Sequence, residues 1–202
     1  FLAVSYQKRL IEDVIDAKRD NLSLRNDSIF NAVYRDKSTN FMTLYGRVPS
    51  LPLLASAEDR QHCWSEFDIH LNSDVFYLSG GMYEPDSCIQ KSVDLLHGIN
   101  EIKEDSLLVL SGTDKIASYI SGVIALPSHS LFDECVSNLS RDASFIMVAD
   151  MDKVSRSPEL YSAYLSPFIL AHPNLFRSFI LSVQITEVEN RLSHIFVFTY
   201  KD

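Results

Sequence analysis

Trp64-Ser65-Glu66-Phe67-Asp68-Ile69-His70-Leu71, then the turn Asn72-Ser73-Asp74, then Val75-Phe76-Tyr77-Leu78-Ser79-Gly80-Gly81-Met82-Tyr83, is the stretch that decides the fold class. Phe67, Ile69 and Leu71 alternate with Glu66, Asp68 and His70, the period of a strand with one face buried and the other in water. Two such runs separated by short polar residues read as a hairpin. A second hairpin closes the chain, Phe179 to Glu187 and Leu192 to Tyr200 around Glu189-Asn190-Arg191. In its first strand Phe179, Leu181, Val183 and Ile185 alternate with Ile180, Ser182, Gln184 and Thr186.

Working outward, each hairpin is preceded by the same series of elements. The first series begins with the short apolar strand Leu2-Ala3-Val4 and a helix whose Leu10, Ile11, Val14 and Ile15 form one stripe. A second helix carries Ile29, Phe30, Val33 and Tyr34, and the strand Phe41-Met42-Thr43-Leu44-Tyr45 follows. The second series begins with Leu107-Leu108-Val109-Leu110 and a helix that Thr113 or Asp114 can cap. Ile11, Val14 and Ile15 recur as Ile116, Tyr119 and Ile120 at one constant offset, and Ile29, Phe30, Val33 and Tyr34 recur as Leu131, Phe132, Cys135 and Val136 at another. Phe145-Ile146-Met147-Val148 repeats the third strand. The second series then adds a helix bearing Leu160, Tyr161, Tyr164, Leu165 and Phe168.

The expected fold is therefore α+β: two tandem copies of a β-α-α-β-β-β unit, with antiparallel sheet and helices packed on one face. The first unit spans 1–100, with a connecting helix at 88–98 whose stripe is Ile89, Val93 and Leu96, and the second spans 101–202. The chain starts inside one strand pattern and stops at the end of another, so it reads as a piece of a longer protein.

Composition excludes several classes of function. With 18 basic against 27 acidic residues the net charge is −9, and the basic residues are scattered, so no nucleic-acid partner is expected. No apolar run approaches the roughly 20 residues that span a bilayer, so no membrane contact from this stretch itself is expected. Three cysteines, Cys63, Cys88 and Cys135, lack the spacing of a zinc site and the density of a disulfide scaffold. Cys63 and Cys88 flank the first hairpin and could meet, though reduced, buried thiols fit the pattern better.

The candidate ligand-binding residues are Trp64, Glu66, Asp68 and His70, which share one face of a strand about 6 to 7 Å apart in succession. Glu, Asp and His on one face could ligate a divalent cation or serve as an acid and base beside an aromatic platform. A wet sheet face explains the same stripe more simply, and a tryptophan at a strand start more often covers the edge of a core. Asp150 and Asp152 end a strand, where carboxylates serve either catalysis or turn formation. Gly80-Gly81 reads as a bulge or a close backbone approach, since no phosphate-loop lysine accompanies it. Ser111-Gly112-Thr113-Asp114 reads as a turn and a helix cap. The six histidines form no metal-binding spacing, no catalytic motif appears and no cofactor is expected.

The run from Trp64 to Leu71, with Phe76-Tyr77-Leu78-Ser79-Gly80, Leu10-Ile11-Glu12-Asp13-Val14-Ile15-Asp16, Ser28-Ile29-Phe30 and Asn40-Phe41-Met42-Thr43-Leu44-Tyr45, resembles a domain-of-unknown-function family of membrane-anchored envelope proteins from Bacteroidetes. The Gly80-Gly81 pair departs from its pattern, where one glycine precedes a polar or aromatic residue. The resemblance implies an internal duplicated domain outside the cytoplasmic membrane, with its anchor elsewhere in the protein. It brings no activity and no site residues. The expected function is a non-catalytic scaffold or protein-interaction domain with a protein partner in the cell envelope. The alternative is a binding module for a cation, sugar or small ligand on the Trp64 to His70 strand.

Overall fold

The computed structural model describes residues 3–34, 42–47, 64–83, 93–94, 96–165, 167–188 and 191–201. Eight strands form one antiparallel sheet: β1 (Thr43–Gly46), β2 (Trp64–Leu71), β3 (Val75–Tyr83), β4 (Ile102–Lys103), β5 (Leu107–Ser111), β6 (Phe145–Asp150), β7 (Phe179–Val188) and β8 (Arg191–Tyr200). Their order is β1-β2-β3-β8-β7-β6-β5-β4. The two hairpins thus lie side by side, and the β3–β8 ladder, from Val75↔Thr199 to Met82↔Leu192, stitches the two halves into one sheet.

Helices occupy both faces, which corrects the expectation of one covered face. Leu107, Val109, Phe145, Met147, Ala149, Leu181, Val183 and Ile185 point to one side, where Val93, Leu96, Val154 and Leu165 cover them. Leu108, Leu110, Ile146, Val148 and Ile180 point to the other, under Ile116, Ile120, Val123, Cys135 and Val136. The reason is legible in β5 and β6, where every residue is buried. A strand apolar at successive positions has no face to give to water, so it needs a cover on each side. Each fully buried Leu or Ile in these layers contributes about 1.5–3 kcal/mol.

Helices α1 (Lys8–Arg19), α2 (Ser28–Val33), α3 (Thr113–Ile124) and α4 (Leu131–Ser137) fall on the expected stripes. Ser130 and Asp133 close α4 with a reciprocal capping box. The start of α3 differs from expectation: its N-cap is Gly112 at φ 98°, with no side-chain cap from Thr113 or Asp114. The Gly112 amide instead donates to Ser144 O at 2.9 Å, and a positive φ of this kind suits glycine alone. Gly122, inside α3, has nothing within 4 Å of where a Cβ would stand. Gly122→Ala is therefore expected to stabilise the protein by about 0.5 kcal/mol, seen as a rise of about 2 °C in thermal melting. A fall in Tm would show that α3 is not continuous through this turn.

Two further expectations are corrected. Ala3 and Val4 are exposed and form no strand, and no described strand pairs with the outer edge of β1. Without a partner strand their backbone groups gain nothing by extending in register. The stripe from Leu160 to Phe168 is broken into a 3-10 turn (Pro158–Tyr161) and two short helices, α6 (Pro167–Ala171) and α7 (Pro173–Phe176), after α5 (Met151–Val154). Pro167 and Pro173 lack the amide that a continuing helix needs, and each opens a new helix at its first turn. Tyr161, Tyr164 and Leu165 still pack on the sheet. Cys63, the 88–92 start of the expected connecting helix with Cys88 and Ile89, and the turn at 189–190 lie outside the described residues. No helix among the described residues is long and apolar enough to cross a membrane.

Candidate interaction surface

Around Trp64 the local sequence builds an aromatic cluster. Asp27 stands just before α2, and its Oδ1 accepts from the amides of Ile29 (3.0 Å) and Phe30 (2.9 Å), so it caps the helix. Its Oδ2 accepts from the Trp64 indole Nε1 at 3.0 Å and from Arg47 Nη2 at 3.2 Å. The Phe30 amide and the Trp64 indole, helped by the Arg47 charge, hold the Asp27 carboxyl below its ordinary value. The Arg47 guanidinium lies 5.1 Å from the Trp64 ring centroid. Phe30 meets Trp64 edge-on at 4.9 Å and Tyr45 at 5.8 Å, and stacks on Tyr34 at 5.6 Å. Trp64 is only 9% exposed, so it serves as the edge of a core, and Tyr34 and Arg47 form the accessible rim.

Glu66, Asp68 and His70 share the face of Trp64 but not its environment. Burial falls steadily along β2, from Trp64 through Phe67 buried to His70 and Leu71 exposed. The alternation of a wet and a dry face is thereby corrected: Glu66, expected in water, is 6% exposed, because β2 is an inner strand with α2 across that face. Asp68 Oδ1 accepts from Thr43 Oγ1 at 2.9 Å, and His70 lies in the open with its ring 5.6 Å from Tyr77. Among the described residues no three His, Cys, Asp or Glu side chains are grouped to hold a metal ion.

Gly80 makes the close backbone approach expected of it, with no bulge, since the β2–β3 register advances one residue at a time from Trp64↔Tyr83 to Leu71↔Phe76. Phe67, Gly80 and His194 lie in one row across three strands. The missing side chain lets the His194 ring stack on Phe67, centroids 4.5 Å apart, and reach Glu66 O at 3.3 Å. His194 was not singled out in the sequence. Its position between Leu192 and Phe196, two residues to either side on a dry face, is the signal that marks it. Cys135 is buried at the centre of α4, and burial pushes its thiol pKa up, away from nucleophilic use. Asp152 lies on the surface beside Arg156, which lowers its pKa, and Asp150 is buried against Lys201.

Among the described residues, α1 presents an exposed apolar stripe. It has the regular stripe of an amphipathic helix, yet none of its residues is buried. Leu10 is 51% exposed, Val14 36% and Ile15 58%. By contrast α3, a helix of the same length, buries Ile116, Ile120 and Val123 completely or nearly so. Leu22 and Leu24, after α1, and Leu44, in the edge strand β1, are exposed as well. No family model matches this chain, and neither a curated protein nor a solved structure matches it.

Proposed function

We propose that this chain is a non-catalytic protein-interaction domain that docks a protein partner of the cell envelope through α1 and through the exposed β1 edge of the sheet. The exposed stripe of α1 carries the reading, since apolar patches of this kind mark interaction sites. The Tyr34 and Arg47 rim supports it, because Tyr and Arg are enriched where interfaces hold most of their binding energy. The extracytoplasmic placement rests on the family resemblance of the sequence alone.

The same proposal includes two tandem units, 1–100 and 101–202, meeting at the β3–β8 ladder. Supporting it, α1 and α3 are both 12 residues long. The orders β1-β2-β3 and β6-β7-β8 also run inward to the shared ladder from opposite sides. A scaffold made this way presents one half with its helices seated and the other with α1 free to dock.

A photo-crosslinking residue placed at Leu10 or Val14, with the protein in its own cells, tests the reading. A discrete adduct is expected from these positions and not from Glu134, which is exposed on α4. Ile15→Lys should reduce that adduct at least tenfold while the isolated domain keeps its melting temperature. Crosslinks indistinguishable between α1 and Glu134 would refute the proposal.

A further inference from the structure

Asp150 ends β6 on the α4 side of the sheet and is 6% exposed. Its two carboxylate oxygens take Lys201 Nζ at 2.8 and 2.9 Å, and Oδ1 also accepts the Asp152 amide at 3.1 Å. Lys201 is held in turn by its own amide, which donates to Ser178 O at 2.8 Å at the open end of the last hairpin. A half-open cleft of about 470 Å³ surrounds this pair. That volume falls in the range of about 300–1,000 Å³ typical of small-molecule sites.

The cleft has an apolar wall, Leu131, Phe132 and Ile180, and three further charges, Asp105, Asp133 and Lys153. Asp150 and Lys201 neutralise one another. Lys153 Nζ donates at 3.1 Å to the main-chain oxygen of Asp105, a neutral acceptor that leaves its charge uncompensated. Asp133 accepts from the Ser130 hydroxyl (2.7 Å) and amide (2.9 Å), and these two bonds, helped by the charge of His129, hold its carboxyl below the ordinary value. Among the described residues Lys153, Asp105 and Asp133 form no salt bridge within 4 Å, and all three line the cleft, so it carries both signs of charge.

The geometry points to a binding site for a small zwitterion, an α-amino acid with an apolar side chain: its carboxylate toward Lys153, its ammonium toward Asp133 and Asp105, its side chain on Phe132, Leu131 and Ile180. A simple anion would meet two carboxylates, and a simple amine would meet Lys153. A ligand carrying both groups satisfies both and adds no net charge to a partly desolvated cleft. This site lies among β6, α4 and the end of β8, far in sequence from α1, and stands independently of the docking proposal.

The test uses the whole chain and three probes of one shape: L-phenylalanine, phenethylamine without the carboxylate, and 3-phenylpropanoate without the ammonium. Titration followed by amide NMR is expected to show L-phenylalanine binding at millimolar or lower concentration, with shifts at Phe132 and Lys153. The two truncated probes should bind at least tenfold more weakly. Lys153→Gln, at an exposed position, should weaken L-phenylalanine at least tenfold while leaving the melting temperature and the rest of the spectrum in place. Absence of L-phenylalanine binding, equal binding of all three probes, or an unaffected Lys153→Gln would each overturn the assignment.

Discussion

Gly80→Ala is expected to lower the free energy of unfolding by about 3 kcal/mol or more. A Cβ at this position would stand 1.8 Å from the Glu66 carbonyl oxygen and 3.3 Å from His194 Nε2. The first distance is a backbone clash, and no rotamer change relieves it. β3 is an inner strand, laddered to β2 on one side and β8 on the other, so it cannot retreat without loosening one of them. The opposing gain, a less flexible unfolded chain, is about 0.4–1 kcal/mol, so the clash wins. Gly98→Ala is the control, since nothing lies within 4 Å of its would-be Cβ. Urea titrations should show a lower midpoint for Gly80→Ala with an unchanged slope, and no loss for Gly98→Ala. A Gly80→Ala protein as stable as its parent would mean that β2 and β3 pair in another register.

Gly80 was marked in the sequence because glycine inside a strand pattern has few other uses. What the sequence could not show was the partner that uses the space, His194, more than a hundred residues away. The same division runs through the molecule. Both hairpins, the stripes of α2, α3 and α4, the core position of Trp64 and the inertness of Cys135 are local patterns of period two or of helical spacing, and all were legible. Which strand lies inside the sheet is not local. Glu66 reads as a wet-face residue in β2 alone and becomes buried only because α2 returns across it. Asp150 likewise reads as a turn former until Lys201, at the end of β8, reaches it. The continuous apolar runs of β5 and β6 carry the message of two covered faces, while the alternation of the hairpins carries the opposite message of one.

The cleft and α1 illustrate why a site is harder to read than a fold. Lys153, Asp133 and Asp105 are unremarkable surface charges in sequence, each beside a turn, and only the meeting of the β4–β5 turn, α4 and α5 at the end of β6 gathers them. The stripe of α1, in contrast, was fully legible, and its environment was not: periodicity states that a helix has an apolar face and is silent about what covers it.

His194 sets the second large effect, a loss of stability in mild acid. Its side chain is 0% exposed, and burial, only partly offset by the hydrogen bond to Glu66 O, depresses its pKa to about 4. In the unfolded chain the same imidazole titrates near 6.5. Below pH 6.5 the unfolded state therefore binds a proton that the folded state refuses, and the imbalance favours unfolding. The contribution of neutral His194 is fully present above about pH 6.5 and is lost as pH falls toward 4. The loss should reach about 2 kcal/mol at pH 5 and about 3 kcal/mol below pH 4. The carboxyls of Asp27 and Asp133, depressed below an ordinary value of 3.8, withdraw their own contributions only in stronger acid, so the interval from pH 6.5 to 5 isolates the histidine. His194→Gln keeps an amide donor for Glu66 O and cannot titrate. Urea unfolding at pH 7 and pH 5 should show the parent losing about 2 kcal/mol and His194→Gln losing much less. Because His194 lies in the β3–β8 ladder, hydrogen exchange at pH 5 should rise first along that ladder, where the two halves of the sheet are joined. An NMR titration placing His194 near 6.5 in the folded protein, or equal losses in parent and variant, would rule this account out.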